Sequence, residues 1–163
     1  MVGLWMLAGK PYRSVHFNLQ TAGFGILVQA EFLNKEIDLS STFRLAVLNH
    51  ANAIVRYATQ TCLCYRYHTI EQQVAKTILL TSRRTGQIEL DTTHQTIGAI
   101  LGIRREGVSG ALKHLQKLKL IEQKRGKIMI LQPTALEAEA CECYPLLCKH
   151  LGYNQDIATL AQD

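Results

Sequence analysis

Apolar side chains recur at helical spacing on both sides of Gly102, with polar residues between them. Ile97, Ile100 and Leu101 lie at i, i+3 and i+4 before this glycine, which predicts an amphipathic helix. Gly102 can adopt the positive φ that ends a helix in a short turn. The same apolar spacing resumes at Val108, Ala111, Leu112, Leu115 and Leu118. The pattern therefore predicts two one-sided helices joined by a tight turn.

Two neighbouring features favour a helix-turn-helix over a simple amphipathic hairpin with solvated charges, which stays the alternative. Gly98 is small enough for the second helix to cross close to the first. Farther along, two short apolar runs flank Lys124-Arg-Gly-Lys127, and a glycine in such a charged tip predicts a β-hairpin. A helix-turn-helix followed by a basic hairpin is a winged helix.

Positive charge is concentrated around this predicted motif. The formal net charge of the 163 residues is +5. Residues 83–127 contain ten Lys or Arg and four Asp or Glu, a charge of +6, while the remaining eight basic and nine acidic residues give −1. This distribution predicts a polyanionic partner. The outward face of the second helix carries Arg104, Arg105, Glu106, Ser109, Lys113, His114 and Lys117.

A long apolar seam precedes the motif. No Pro or Gly occurs from Thr42 to about Tyr67, so one long helix is expected there. A seam with alternating steps of four and three residues predicts a helix that pairs with its copy in a second subunit. Burial of the helix against its own domain is the alternative. The seam residues are Phe43, Val47, His50, Ile54, Tyr57, Thr61, Cys64 and His68.

The remaining segments have weaker patterns. Alternation over Ser14–Gln20 and an apolar run over Phe24–Val28 predict two strands, which alone are marginally stable. They either pack on the following helices or belong to a larger sheet. Helices are expected over Ala30–Ile37, with capping residues at Asp38 to Ser41, and over Ile70–Ser82.

Capping residues separate the later elements. Ile88–Leu90 is a strand candidate, and the next helix is capped either by Thr92, in a capping box with Gln95, or by Thr93. Behind the hairpin, Pro133 ends the strand pattern and Thr134 can cap a last helix. The tail beyond Tyr153 is expected to fray.

From Ser40 to Tyr144, the order of long helix, hinge, helix, helix-turn-helix and basic wing resembles the Crp/Fnr family of bacterial transcription regulators. The resemblance implies a mainly α fold with small β elements. A winged helix-turn-helix domain (68–144) would follow a long dimerisation helix (40–67) and a truncated, cyclic-nucleotide-binding-like β-roll (1–39), with a C-terminal tail (145–163). The matching stretches are Thr93-His-Gln95-Thr-Ile97-Gly98, Leu101-Gly102, Arg105-Glu106-x-Val108-Ser109 and Gly126-Lys-Ile128.

The resemblance implies a cytoplasmic homodimer that reads a two-fold symmetric operator in the major groove of double-stranded DNA. RNA polymerase is a further candidate partner. Gly110 stands where the family has a later arginine, so one guanine-reading side chain is absent. Base-edge contacts are expected from Arg105, Glu106 and Ser109. Phosphate contacts are expected from Thr93, His94, Gln95, Arg104, Lys113, Lys124, Arg125 and Lys127.

The N-terminal segment departs from the family. Gly3-Leu4 replaces the Gly-Glu of the cyclic-nucleotide cassette, and only Arg13-Ser14 resembles the rest of it. We therefore expect no cyclic nucleotide and no other cofactor. Residues 1–39 are interpreted as a remnant of the roll, from a truncated gene or a late start codon.

Cysteine usage leaves a second functional hypothesis open. Five cysteines, an odd number with no secretory signal before them, fit reduced thiols in a cytoplasm. Cys141, Cys143 and Cys148, with His150 nearby, could instead supply soft ligands to a metal or redox sensor. No phosphate loop, nucleophile elbow or metalloprotease helix indicates an enzyme, and no apolar run reaches the roughly 20 residues that span a bilayer.

Overall fold

A computed structural model describes residues 2–9 and 23–153 of the chain. The chain forms two compact units, Met1–Arg56 and Tyr57–Asp163. The first contains a short 3-10 helix (Leu4–Ala8), α1 (Ala30–Leu39) and the beginning of α2 (Ser41–Tyr67). Ser40 caps α2, because its hydroxyl oxygen accepts the backbone N–H of Phe43 at 3.2 Å. Both helices predicted in this part of the sequence are therefore present.

The N-terminal region corrects one sequence prediction. The first predicted strand, Ser14–Gln20, lies outside the described residues, and the second, Phe24–Val28, has no regular structure. Phe24 and Leu27 are fully exposed, and no strand of the described residues pairs with this segment. An isolated strand leaves its backbone donors and acceptors unpaired and is not stable in water.

Only part of the predicted seam of α2 is open to a second subunit. Cys64 is fully buried, and Tyr57 packs against the main hydrophobic core of the second unit. The C-terminal part of the helix thus follows the alternative, in which the seam packs inside its own domain. Among the described residues, no helix is both long and apolar enough to cross a membrane.

The second unit surrounds a core built mainly on α3. Val74, Ala75, Ile78 and Leu79 lie on one face of that helix and are at most 1% exposed, as expected from its apolar periodicity. The unit contains α3 (Ile70–Thr85), β1 (Glu89–Asp91), α4 (His94–Leu101), α5 (Arg105–Lys117), β2 (Ile121–Lys124), β3 (Lys127–Ile130), α6 (Pro133–Glu139) and α7 (Cys143–Leu151).

The three strands form one antiparallel sheet in the order β1-β3-β2. Leu90 pairs with Ile128, and Lys124 pairs with Lys127 across the hairpin. Gly126 occupies the turn at φ 75°, a conformation that glycine adopts without the Cβ clash of other residues. The predicted wing is therefore confirmed, and the strand expected over Ile88–Leu90 is shifted by one residue.

The helix caps decide between the alternatives. Thr93 caps α4, since its side chain accepts the backbone N–H of Thr96 at 3.1 Å; the capping box led by Thr92 is wrong. Thr134 is not a cap, because Pro133 already occupies the first turn of α6, where a missing N–H costs nothing. A further helix, α7, continues past the predicted boundary at 144 and buries Leu147 in the core.

Candidate nucleic-acid interface

A single glycine sets the spacing of α4 and α5. A Cβ on Gly98 would lie 2.9 Å from the backbone oxygen of Ile103, closer than real Cβ contacts allow. The Gly98 carbonyl also accepts the backbone N–H groups of Gly102 and Ile103, and Gly102 ends α4 at φ 67°. The tight turn predicted from the sequence is confirmed, and it depends on a residue without a side chain at position 98.

The apolar stripe of α5 is buried and its polar face is open. Val108, Ala111, Leu112 and Leu115 are at most 1% exposed. The predicted base readers Arg105 and Glu106 are exposed in the first helical turn, and Ser109 is half-buried one turn later. The backbone N–H groups of a first turn have no partner within the helix and favour anions.

A groove joins the start of α4, the start of α5 and the tip of the wing. It has a volume of about 380 Å³, and Thr92, Gly126 and Ile128 are among the residues that line it. Seven of the eleven residues predicted to contact DNA line it, namely Thr93, His94, Gln95, Arg105, Lys124, Arg125 and Lys127. The fold thus brings residues more than 30 positions apart to one surface, which we call the basic groove.

The other four predicted contacts lie outside the basic groove. Arg104, Glu106 and Ser109 are on or next to the first turns of α5. Lys113 is farther along that helix and shares a shallow depression with Gln116, Lys117 and Gln123. The polar face therefore extends along α5 beyond the groove.

His94 connects the three parts of the basic groove. One ring nitrogen pairs with the Ser109 hydroxyl at 2.8 Å and the other with Gln123 Oε1 at 2.9 Å. Ser109 also donates to the Arg105 carbonyl at 2.9 Å, and Gln123 donates to Gln116 Oε1 at 2.8 Å. Both nitrogens of His94 therefore have protein partners. Sequence reasoning missed Gln116 and Gln123, because their role depends on contacts between helix and wing.

The cations of the interface differ in their pairing. Lys127 pairs with Glu89 and lies 3.8 Å from Asp91, and Lys124 lies 3.2 Å from Glu122. The hydrogen bond between Lys127 and Glu89 raises the pKa of the lysine and lowers the pKa of the carboxyl group. Of the lysines and arginines predicted to contact DNA, four form no ion pair with an acid of the described residues: Arg104, Arg105, Lys113 and Arg125.

One basic residue of the positively charged stretch 83–127 does not face the interface. The guanidinium of Arg83 donates to the Tyr144 hydroxyl at 2.5 Å and to Glu137 at 3.4 Å. Its side chain is only 10% exposed. Burial raises the pKa of the Tyr144 hydroxyl. Arg83 therefore ties the end of α3 to α6 and α7 and does not add to the charge that DNA would meet.

Elsewhere in the second unit, four potential metal ligands form what we call the cysteine–histidine cluster. It consists of Cys64 near the end of α2, His68 just after that helix, Cys141, and Cys143 at the start of α7, and the ligand atoms all lie within 4.8 Å of one another. The sulfur atoms of Cys64 and Cys141 are 3.6 Å apart, as are Cys143 Sγ and His68 Nδ1. The three cysteines are at most 3% exposed.

Two of the cluster's residues were expected from the sequence and two were not. Cys141 and Cys143 were candidate soft ligands, whereas Cys148 lies in the main hydrophobic core. Cys64 and His68 were predicted only as seam residues. Their i, i+4 spacing on one helix face was a signal for paired ligands, but the sequence did not show that this face meets Cys141 and Cys143.

Polar groups surround the cluster. Lys76 Nζ donates to Cys64 Sγ at 2.9 Å and Gln60 donates to Cys143 Sγ at 3.0 Å. The hydrogen bond with Cys141, followed by the nearby Lys76, lowers the pKa of the Cys64 thiol to about 4. The hydrogen bond between Cys64 and Cys141 raises the pKa of Cys141, and burial raises the pKa of Cys143. The environment therefore favours the anionic form of Cys64 over that of its two neighbours.

The fold and the basic groove together define a winged helix-turn-helix domain. Residues 72–139 match the family model described as the Crp-like helix-turn-helix domain. This match confirms the resemblance of residues 72–139 to the DNA-binding domain of Crp/Fnr regulators.

Solved structures agree with this assignment. FixK2 from Bradyrhizobium japonicum matches with a TM-score of 0.65 and 20% identity, covering 70% of this chain and 60% of FixK2. A putative transcriptional regulator of the Crp/Fnr family from Eubacterium rectale matches with a TM-score of 0.52 and 28% identity, covering 67% of this chain and 50% of that protein. The matches are consistent with a helix-turn-helix domain beside a remnant of a β-roll. This chain spans 60% or less of either protein. A comparison with curated sequences found no significant match.

Proposed function

We propose that this chain is a DNA-binding transcription regulator that reads a two-fold symmetric operator in the major groove as a homodimer. The observation that carries this proposal is the basic groove, where seven of the predicted contacts meet between two helix starts and a wing. Five free cysteines in the described chain fit a reducing cytoplasm. RNA polymerase is a further candidate partner.

The exposed start of α5 suits base reading. Arg105 and Glu106 project from the first turn of the helix, the part of a recognition helix that contacts base edges. Arg105 has no acidic partner among the described residues, so its guanidinium is available to the two acceptors of a guanine. Ser109 is the third base-contact candidate, although its hydroxyl already binds His94.

The remaining predicted contacts suit phosphate binding. Thr93, Gln95, Lys124 and Arg125 lie around the same groove, and Arg104 and Lys113 extend the charged surface along α5. His94 and Lys127 bind protein partners, so their contribution to phosphate binding includes holding the groove in shape. Such contacts position a protein on DNA without specifying sequence.

An exposed apolar stripe on α2 supports the homodimer. Leu45, Leu48 and Val55 are 58%, 59% and 62% exposed, and with Asn52 they are spaced by three, four and three residues. This is heptad spacing, which suits pairing of two helices. The stripe is not the predicted seam, whose Phe43, Val47 and His50 are already half-buried.

The test is selection from a pool of randomised DNA duplexes at several salt concentrations, with sequencing of the bound fraction. We expect an enriched site with two inverted halves about one helical turn apart, and an affinity that falls steeply as salt increases. Binding with the same salt dependence but without an enriched sequence would contradict sequence-specific reading. An enriched site with only one half would contradict the dimer.

A variant with a charged α2 stripe separates dimerisation from DNA reading. Leu48→Glu places a carboxylate on the exposed stripe, far in sequence from the basic groove. We expect a monomer in sedimentation experiments that binds a single half-site and loses the preference for two halves. A variant that remains a dimer would exclude this stripe as the dimer interface.

A further inference from the structure

We propose that Cys64, His68, Cys141 and Cys143 bind one soft divalent transition metal ion of the zinc class in a closed, four-coordinate site. This inference concerns the cysteine–histidine cluster and is independent of the proposed DNA binding. The four side chains provide a Cys₃His ligand set, which occurs in structural zinc sites.

The spacing of the ligand atoms matches tetrahedral coordination. With Zn–S bonds of about 2.3 Å and a Zn–N bond of about 2.0 Å, neighbouring ligand atoms lie about 3.5 to 3.8 Å apart. The pairs Cys64–Cys141 and Cys143–His68 are each separated by 3.6 Å. All four ligand atoms lie within 4.8 Å of one another, so small side-chain rotations complete the tetrahedron.

The orientation of His68 is that of a metal ligand. Its Nδ1 atom faces Cys143, and its Nε2 atom pairs with Glu142 Oε1 at 3.0 Å. In metal sites, a ligating histidine commonly donates its other N–H to a carboxylate, which fixes the ring and raises its basicity. Glu142 lies between the two ligands Cys141 and Cys143, so the same segment supplies ligands and the supporting carboxylate.

The charge of the surroundings also suits an anionic metal centre. Three thiolates, a neutral imidazole and a divalent cation carry a net charge of −1. Lys76 is 3% exposed, donates to Cys64 Sγ at 2.9 Å and lies 5.7 Å from the centre of the Tyr65 ring. A buried ammonium group requires a counter-charge, and the coordinated thiolates provide it. Metal binding releases to solvent the protons that the coordinating thiols carry, because thiolates are the ligands.

The proposed ion connects segments that are distant in sequence. Cys64 and His68 lie in and just after the end of α2, Cys141 lies between α6 and α7, and Cys143 begins α7. A bound metal would therefore fix the helix end to the C-terminal part of the second unit. Cys62, two residues before Cys64 but exposed, takes no part in the site.

The test uses cobalt(II) as a spectroscopic probe on the reduced full chain, purified without a histidine tag under anaerobic conditions. We expect one Co²⁺ per chain, with the visible bands of tetrahedral cobalt and a thiolate-to-cobalt charge-transfer band, and loss of both when Zn²⁺ is added. Cys64→Ser and Cys143→Ser should abolish these bands. The matched control Cys62→Ser, on the same helix, should retain them.

A second measurement keeps the test decisive if a serine variant does not fold. Zn²⁺ added to the reduced wild-type chain should slow alkylation of Cys64, Cys141 and Cys143, mapped by mass spectrometry, and leave Cys62 equally reactive. Octahedral cobalt bands alone, alkylation rates unchanged by zinc, or tetrahedral bands that survive in both ligand variants would overturn the proposal. So would a chain that forms a Cys64–Cys141 disulfide and takes up no metal after reduction.

Discussion

The basic groove and the cysteine–histidine cluster belong to the same folding unit but hold their polar side chains in opposite environments. The four lysines and arginines of the groove are exposed, and two of them, Arg105 and Arg125, form no ion pair within the described residues. The cluster packs three cysteines and Lys76 at 3% exposure or less. Water and salt screen the first set of charges, whereas burial strengthens every interaction in the second.

This difference predicts two kinds of mutational effect. A side chain of the groove can be removed with little loss of stability, because exposed ion pairs contribute about 1 kcal/mol or less. Its loss should appear in binding to DNA. A group of the cluster supports other buried polar groups, so its removal should alter metal affinity and the stability of the unit together.

The largest expected effect comes from the close crossing of α4 and α5 at Gly98. Gly98→Ala should destabilise the chain by about 2 to 3 kcal/mol, because the new Cβ would meet the Ile103 backbone oxygen, which cannot move away freely. Urea unfolding measures this change. Gly110→Ala is the matched control: its Cβ would have open space, and we expect stabilisation of up to about 1 kcal/mol from helix propensity. Equal effects of the two variants would contradict the close helix crossing.

In the cluster, Lys76→Met tests the buried charge. If the ammonium balances an anionic metal centre, the variant should bind Co²⁺ or Zn²⁺ about 10- to 100-fold more weakly, a range typical of groups that support metal ligands. Stability without metal should also fall, because removal of the ammonium leaves the buried Cys64 sulfur without its donor.

The matched control is Lys117→Met, which changes an exposed lysine of α5 and should leave metal affinity unchanged. Competition with a chelator of known affinity gives the measurement. An unchanged affinity in Lys76→Met would show that the lysine does not support the metal.

Sequence patterns predicted the groove better than the cluster. The residues that form the groove lie closer together in the sequence than those of the cluster. Helical periodicity, a glycine in the turn and a charged hairpin tip all lie between Thr93 and Lys127, and each reflects the conformation of its own segment. The Thr93 cap and the Gly126 turn are further local signals. These local signals did not predict the contact of His94 with Gln123, because it forms only when the wing packs beside α5.

The cluster depends on long-range packing. Cys64 and Cys141 are 77 residues apart in sequence, and no periodicity encodes their contact. The sequence identified the Cys141 and Cys143 pair but grouped it with Cys148, which is adjacent along the chain and buried elsewhere. The strand prediction for Phe24–Val28 was wrong for a related reason. The apolar pattern of this segment predicts a strand, but a strand also needs a neighbouring strand to pair with.

Within the groove, Arg105→Ala should have the largest effect on specificity. Loss of a guanidinium that binds guanine should weaken the preferred operator by about 2 kcal/mol, roughly 30-fold, and relax the choice of base at one position in each half-site. The free energy of unfolding should change by less than about 0.5 kcal/mol, because the side chain is exposed.

Arg84→Ala removes an exposed arginine at the end of α3, outside the groove, and is the control for the loss of one positive charge. Binding curves on the preferred duplex and on duplexes substituted at each position separate the two variants. If Arg105→Ala keeps both the preferred site and its affinity, α5 does not read DNA through its first turn.

The smallest expected effect belongs to the wing. Lys124→Ala should weaken binding to all DNA sequences alike, by about three- to fivefold at moderate salt, and reduce the slope of log affinity against log salt by about one. Lys119→Ala, an exposed lysine just after α5 and outside the groove, should leave that slope unchanged. A change in sequence preference in Lys124→Ala would mean that the wing reads bases, and the division between a reading helix and a phosphate-binding wing would then fail. A uniform loss would instead support that division, because phosphate contacts carry no base information.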